Sequence, residues 1–203
     1  DVSRGMLDRA HAAIESAGLA NVELLQADAC DPPLFQSASF DVVVCAAALL
    51  YMPAQRALAE WYRLLKPGGT VGFSTMRAGF PQAGQLFRDC AAELGVRLND
   101  PSAELGSETA SRMVLNRTGF VDVSVVPGQV SLSAADFSLA WESNLRSAAH
   151  ADVRRLNPVG LDRLHARFEH ALAEARRNVA AYDVAEVLYA YGRKPNGHAG
   201  PAV

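Results

Sequence analysis

The feature that most constrains the fold is a repeated succession: a β-branched run, a helix-type segment, a tight turn, then another run. Phe40-Asp41-Val42-Val43-Val44-Cys45 has the composition of a parallel strand buried on both faces. Pro53 stands where a helix takes a first-turn proline, and residues 54–65 read as that helix. Lys66-Pro67-Gly68-Gly69 is a turn, and residues 70–75 form the next strand. Strand, crossover helix and strand together imply an α/β architecture with a parallel sheet. Ligands of such sheets bind beyond the carboxyl ends of the strands. A site would therefore be built from Asp1, Ala27-Asp28-Ala29, Cys45-Ala46-Ala47 and Ser74-Thr75-Met76.

The pattern extends in both directions. Ser3 can cap a helix over residues 4–17, with Met6, Leu7, Ala10, Ile14 and Ala17 on one face and Gly18 as its left-handed stop. Residues 22–26 read as a strand and 28–39 as a loop marked by Asp31-Pro32-Pro33. Helices are expected over 82–94 and 108–117, a strand over 121–126, two Ala/Arg-rich helices over 134–148 and 161–179, and a last strand over 184–191. Residues 196–203 read as a flexible tail.

Composition excludes several functions. The chain has 203 residues, half of them hydrophobic, with a formal net charge of −3. That is enough apolar material for a sizeable core, and it lacks the basic surplus that nucleic-acid binding demands. Cys30, Cys45 and Cys90 form no CxxC pair. Neither a disulfide framework nor a structural metal site is expected, and a reducing, cytoplasmic setting is favoured. No apolar run approaches the roughly 18 residues of a membrane span.

Two strand-end carboxylates carry the chemistry. A carboxylate only accepts hydrogen bonds, so Asp1, placed just before a helix, suits the vicinal hydroxyls of a ribose. Asp28 can accept from an exocyclic amine while the Ala29 N–H donates to a ring nitrogen, which together would read an adenine edge. Each Asp alone is more often a turn or cap residue. The pair gains meaning from the order of the segments downstream.

Asp1-Val2-Ser3 through Met6-Leu7, Ala27-Asp28-Ala29, Ser39-Phe40-Asp41-Val42-Val43 and Arg63-Leu64-Leu65-Lys66-Pro67-Gly68-Gly69 resemble the class I S-adenosylmethionine-dependent methyltransferases. The nearest flavour is the bacterial small-molecule, ubiquinone/menaquinone-methyltransferase-like group. The likeness resumes at Leu115 to Phe120 and at Tyr189 to Pro195. The resemblance implies a Rossmann-like sheet, S-adenosyl-L-methionine as cofactor, and methyl transfer to a small-molecule acceptor by in-line displacement. It implies that Asp1 holds the ribose, Val2 flanks the adenine, Asp28 and Ala29 read its edge, and Ala46 lies near the methionine end. It implies a substrate-facing position for Tyr51, which reads equally as a helix-start aromatic packed under the lid. The insert, residues 131–179, would form a helical lid over a core made of 1–130 and 180–195. Phe137 and Trp141, four apart, would share a helix face and line an apolar acceptor pocket; the plainer reading is that they pack the lid.

The chain departs from the family in one respect. The Gly-x-Gly-x-Gly loop is absent from it. The expectation is an N-terminally incomplete sheet lacking its first strands, with impaired cofactor binding and an exposed sheet edge prone to association. A homo-oligomer is left open, and neither nucleic acid nor membrane is expected as a partner. No general base is assigned: His11, His165, His170 and His198 read as surface groups, and His150 is the least implausible of the five. Two rival readings stand. One is a degenerate, non-catalytic scaffold. The other is an NAD(P)-dependent oxidoreductase, suggested by the Tyr62-x-x-x-Lys66 spacing.

Overall fold

The computed structural model describes residues 1–32, 35–178 and 184–196. The tail expected over 196–203 lies, apart from Asn196, outside the described residues, as do Val179 and residues 180–183. In chain order the elements are α1 (Arg4–Ala17), β1 (Phe40–Cys45), α2 (Ala54–Leu64), β2 (Leu65–Met76), α3 (Gln82–Glu93), α4 (Glu108–Thr118), β3 (Val121–Ser131), α5 (Ala134–Ser138), α6 (Ala140–Arg146), α7 (Pro158–Asn178) and β4 (Val184–Arg193). Short 3₁₀ stretches cover Leu49–Tyr51 and Ala148–Arg155. No helix among the described residues is long and apolar enough to cross a membrane.

The strands form one sheet in the order β1-β2-β4-β3. β1 and β2 are parallel, as the crossover through α2 requires. β4 enters between β2 and β3 and runs antiparallel to both. The sheet is therefore mixed, not parallel throughout. The long connection from β3 to β4 lets the chain return in either direction, so no local pattern fixes the sense of the last strand.

Two other expectations change. Residues 22–26 form no ladder; their neighbourhood is tied to the chain start by single bonds, Ala27 N–H to Asp1 C=O (3.2 Å) and Gln26 Nε2 to Val2 C=O (3.2 Å). An apolar run becomes a strand only where a partner strand satisfies its backbone, and none lies beside it among the described residues. The Lys66–Gly69 turn is absorbed into β2. Leu65 pairs with Phe40 and the next register is Val42 with Thr70, so the Lys-Pro-Gly-Gly stretch is the long side of an irregularity in the ladder. Gly68, at φ +79°, supplies the backbone bend there.

The strands alternate. Val43, Cys45, Val71, Phe73, Val125, Leu188 and Ala190 face the helical side, or are at least half-buried toward it, and pack with Leu58, Trp61 and Leu64 of α2 and Val114 and Leu115 of α4. Val42, Val44, Val126, Tyr189 and Tyr191 point the other way and are exposed. The reading of β1 as buried on both faces thus holds for one face only.

A second apolar cluster sits apart from the sheet core. Phe87 of α3, Phe137, Ala140, Val153 and Leu164, Phe168 and Leu172 of α7 close around one another. The helical insert, with α3, therefore has its own core. The helix expected over 134–148 is broken: α5 ends at Ser138, and α6 begins at Ala140 after Leu139 takes φ −97°, ψ 0°.

Candidate cofactor site

The carboxyl end of β1, the chain start, the loop around Asp28 and the turn after β1 enclose a cleft of about 740 Å³, to which the Ser74-Thr75-Met76 end of β2 contributes no lining residue. Its lining includes Asp1, Val2, Asp28, Ala29 and Ala46, all five residues singled out for the cofactor, and Tyr51. An adjoining apolar recess of about 280 Å³ shares Asp1, Asp28 and Ala29 and extends to Phe35, Phe40 and Trp61. The two carboxylates thus face one crevice.

Each is held by a local turn. Asp1 Oδ1 accepts the Ser3 N–H (2.8 Å), and Ser3 in turn caps α1 by accepting from Met6 N–H (3.4 Å). Asp28 Oδ1 accepts the Cys30 N–H (2.8 Å), an Asx turn. In both cases the second carboxylate oxygen has no hydrogen-bond partner among the described residues. The Ala29 N–H likewise has none, whereas its carbonyl accepts from the Trp61 indole Nε1 at 2.9 Å. That bond pins the loop to α2 through the Ala29–Cys30 peptide, and the adjacent Asp28 carboxylate and Ala29 N–H, an acceptor and a donor, both belong to cleft-lining residues.

The opposite wall is a strained turn. Ala47, a residue with a Cβ, sits at φ +50°, in the left-handed region. Its N–H donates to Ser74 Oγ at 3.0 Å, which fixes the exit from β1 against the end of β2. Sequence reasoning placed Cys45 at a strand end but did not single out Trp61, Arg56 or Cys30, which also line the cleft. Trp61 had a readable signal: an indole within a helix that leads from one strand end to the next strand. Arg56 did not, since its 3.5 Å pairing with Asp31 depends on the loop's path. Burial pushes both thiols above their ordinary value, and the Asp28 carboxylate adds to the effect at Cys30. They are neutral walls, not nucleophiles.

The remaining candidates lie elsewhere. Phe137 is buried in the insert's own core, under the Arg176 guanidinium at 4.0 Å, and Trp141 packs against Phe87 (5.6 Å) and stacks on His165 (4.3 Å). The helix break at Leu139 means that the two do not share a face of one helix. Neither lines the cleft. His11 and His170 lie beside Glu15 and Glu174 at 3.4 and 3.6 Å on exposed helix faces; His198 is outside the described residues. Lys66 lies on Asp41 (2.8 Å), while Tyr62 packs on Phe120 under Lys194, so the Tyr62–Lys66 spacing forms no pair.

With this geometry in place the comparisons become informative. Residues 1–73 match the family described as Methyltransferase domain. Over 162 residues the chain is 28% identical to a demethylmenaquinone methyltransferase of Lactobacillus johnsonii, covering 72% of this chain and 65% of that one. Over 85 residues it is 35% identical to the aklanonic acid methyltransferase DauC of Streptomyces sp., covering 40% and 38%. Haemonchus contortus phosphoethanolamine N-methyltransferase 2, solved in complex with phosphomonomethylethanolamine and S-adenosylhomocysteine, superposes with a TM-score of 0.55 at 20% identity over 96% of this chain and 42% of that one. The fold is that of a class I methyltransferase. The segment that matches that family holds Asp1, Asp28, Ala46 and the whole of β1. The chain spans 65% and 38% of the lengths of the two curated relatives.

Proposed function

We propose that the cleft binds S-adenosyl-L-methionine and that the protein transfers its methyl group to a small-molecule acceptor. One observation carries the reading: five residues from three separate stretches of sequence converge on one crevice at the end of β1, with an unused N–H and two unused carboxylate oxygens among them. Asp1 takes the ribose hydroxyls, Asp28 the adenine amine and the Ala29 N–H a ring nitrogen, with Val2 against the base. The Ala46–Ala48 turn holds the methionine end.

The bound cofactor brings an activated methyl on a sulfonium, which is also its own leaving group. The chain's task is orientation. Fixing two reactants in line can contribute about 7–11 kcal/mol in favourable intramolecular systems. Trp61 and Ser74 serve that end by holding the Ala29 and Ala47 peptides. Tyr51, exposed at the cleft, is assigned to the acceptor side. Phe137 and Trp141 act on the acceptor only through the shape of the insert. The neutral thiols leave proton removal to the acceptor's own acidity or to solvent. No glycine among the described residues lines the cleft, and the close backbone approach that glycine allows is lost with it, so affinity is expected to be weak and turnover impaired. The alternative reading is a degenerate, non-catalytic scaffold on the same fold.

Saturation-transfer NMR with S-adenosylhomocysteine detects weak binding and tests this. The adenine and ribose protons should receive saturation, Asp28→Ala should abolish it, and Asp41→Ala, outside the cleft, should not. No transfer in the wild type, or equal transfer in Asp28→Ala, overturns the assignment.

A further inference from the structure

Away from the cleft, the insert's core contains one histidine with an unmet valence. His150 is 3% exposed and sits at a kink (φ −108°, ψ 22°) inside the 3₁₀ stretch Ala148–Arg155. Its ring stacks on Phe87 of α3 at 5.2 Å and 21°. Nδ1 lies 3.0 Å from the Asn144 carbonyl of α6, an acceptor only, so Nδ1 carries the proton and donates. Nε2 is then a bare lone pair. It is fully buried and has no hydrogen-bond partner among the described residues.

The charged groups around it are few. From α3 comes Arg88, 7% exposed, bonded to Gln85 Oε1 (2.9 Å) and 3.4 Å from Asp100. Asp100 is itself committed, accepting the Gly79 and Ser102 N–H groups at 2.8 and 2.9 Å. From its own stretch, Asp152 pairs with Arg155 (2.9 Å), and Arg154 donates to the Leu145 and Ser147 carbonyls (3.0 and 3.3 Å). From α7, Leu164 and Phe168 are apolar, and His165 is turned onto Trp141. A proton on Nε2 would find no acceptor and would bring a second cation near Arg88 inside an apolar core.

We propose that His150 is a proton-released latch: neutral, it holds the 148–155 stretch against α3; protonated, it leaves the core and the helical insert opens. The inference concerns the insert alone and does not depend on methyl transfer. Burial holds the imidazole below the ordinary histidine value of 6.5; the Asn144 bond opposes it in part, and the Arg88 charge adds a smaller lowering against the still smaller effect of Asp100. The closed state thus binds fewer protons than the open one. Closure is complete above 6.5 and weakens as pH falls from 6.5 toward the depressed value.

Hydrogen exchange followed by mass spectrometry on the whole chain tests this at about pH 7.5 and about pH 5.5, with intrinsic rates removed; opening should rise about tenfold for one linked proton. That rise is expected over residues 134–155 and not over residues 54–76. It should vanish in His150→Phe, which keeps the stack and removes the titration, or in His150→Gln if the phenylalanine variant does not fold. In Arg88→Met the closed-state value should move up toward 6.5, so the rise should be smaller and level off at a higher pH. No insert-specific rise in the wild type, or an equal rise in a folded His150 variant, overturns the latch.

Discussion

The two faces of the sheet are built from the same strands and differ by one residue in phase. On one face Val43, Val71, Phe73, Leu188 and Ala190 are buried or half-buried under α2 and α4. On the other, Val42 and Val44 are 57% and 73% exposed, next to Tyr189 and Tyr191 at 38% and 45%. The covered face has the ordinary economy of a core. The open one keeps apolar side chains that bury little, and it softens them with tyrosine hydroxyls and with rings laid over glycines: a Cβ on Gly72 would stand 3.2 Å from the Tyr191 ring, and one on Gly128 2.7 Å from that of Tyr189. The lesson is that hydrophobic content in a strand does not report burial; phase against a covering helix does.

The comparison is sharpest at paired positions. Leu188→Ala, on the covered face, should cost about 2–5 kcal/mol, read from denaturant midpoints; a cost below about 1 kcal/mol would mean that the two faces are equivalent. Phe87→Ala removes the ring that Trp141, His150 and Phe168 all touch. It should cost about 3–5 kcal/mol where the insert unfolds with the rest; if the insert opens alone, exchange should rise in residues 134–172 while 54–76 stay protected. At the boundary of the two faces, Asp28→Asn keeps its Asx-turn oxygen but loses the charge facing the cleft. It should leave the melting temperature within a few degrees and weaken S-adenosylhomocysteine binding roughly tenfold or more, in line with about 1.5–3 kcal/mol for a hydrogen bond to a charged group. The smallest effect is expected on the open face: Val42→Thr with Val44→Thr should change stability by about 0.5 kcal/mol per site or less, while lowering self-association in sedimentation velocity. A large loss of stability there would show that this face is covered in solution.

Much of the fold and of the cleft is legible in the sequence. Ser3 and Gly18 bracket α1 as their chemistry requires: the serine accepts from Met6 N–H, and the glycine sits at φ +64°. Phe40–Cys45 and the helix after Pro53 also come from local pattern, while the cleft-lining set from Asp1 to Ala46 takes its meaning, and Val2 its place, from the family resemblance. The features that are not legible depend on distant partners. The antiparallel insertion of β4, the missing ladder at residues 22–26 and the one-sided burial of β1 are decided by which strand or helix lies alongside. Trp141 and Phe137 have spacing that suits one helix face, yet a single φ/ψ change at Leu139 sends them into a shared core by another route. His150 reads in sequence like any lone histidine; its interest lies in the Asn144 carbonyl and the Phe87 ring, neither close in sequence pattern.

The two tryptophans divide the molecule between them. Trp61 gives its indole proton to the carbonyl of Ala29, a cleft-lining residue, and Trp141 lies among the rings of the insert. The protein therefore contains its own pair of optical gauges, one at the wall of the cleft and the other in the insert's core, where the proposed opening would be read. Replacing either with phenylalanine would leave a single emission to follow, so occupancy and closure could be timed separately in the same solution without any attached dye.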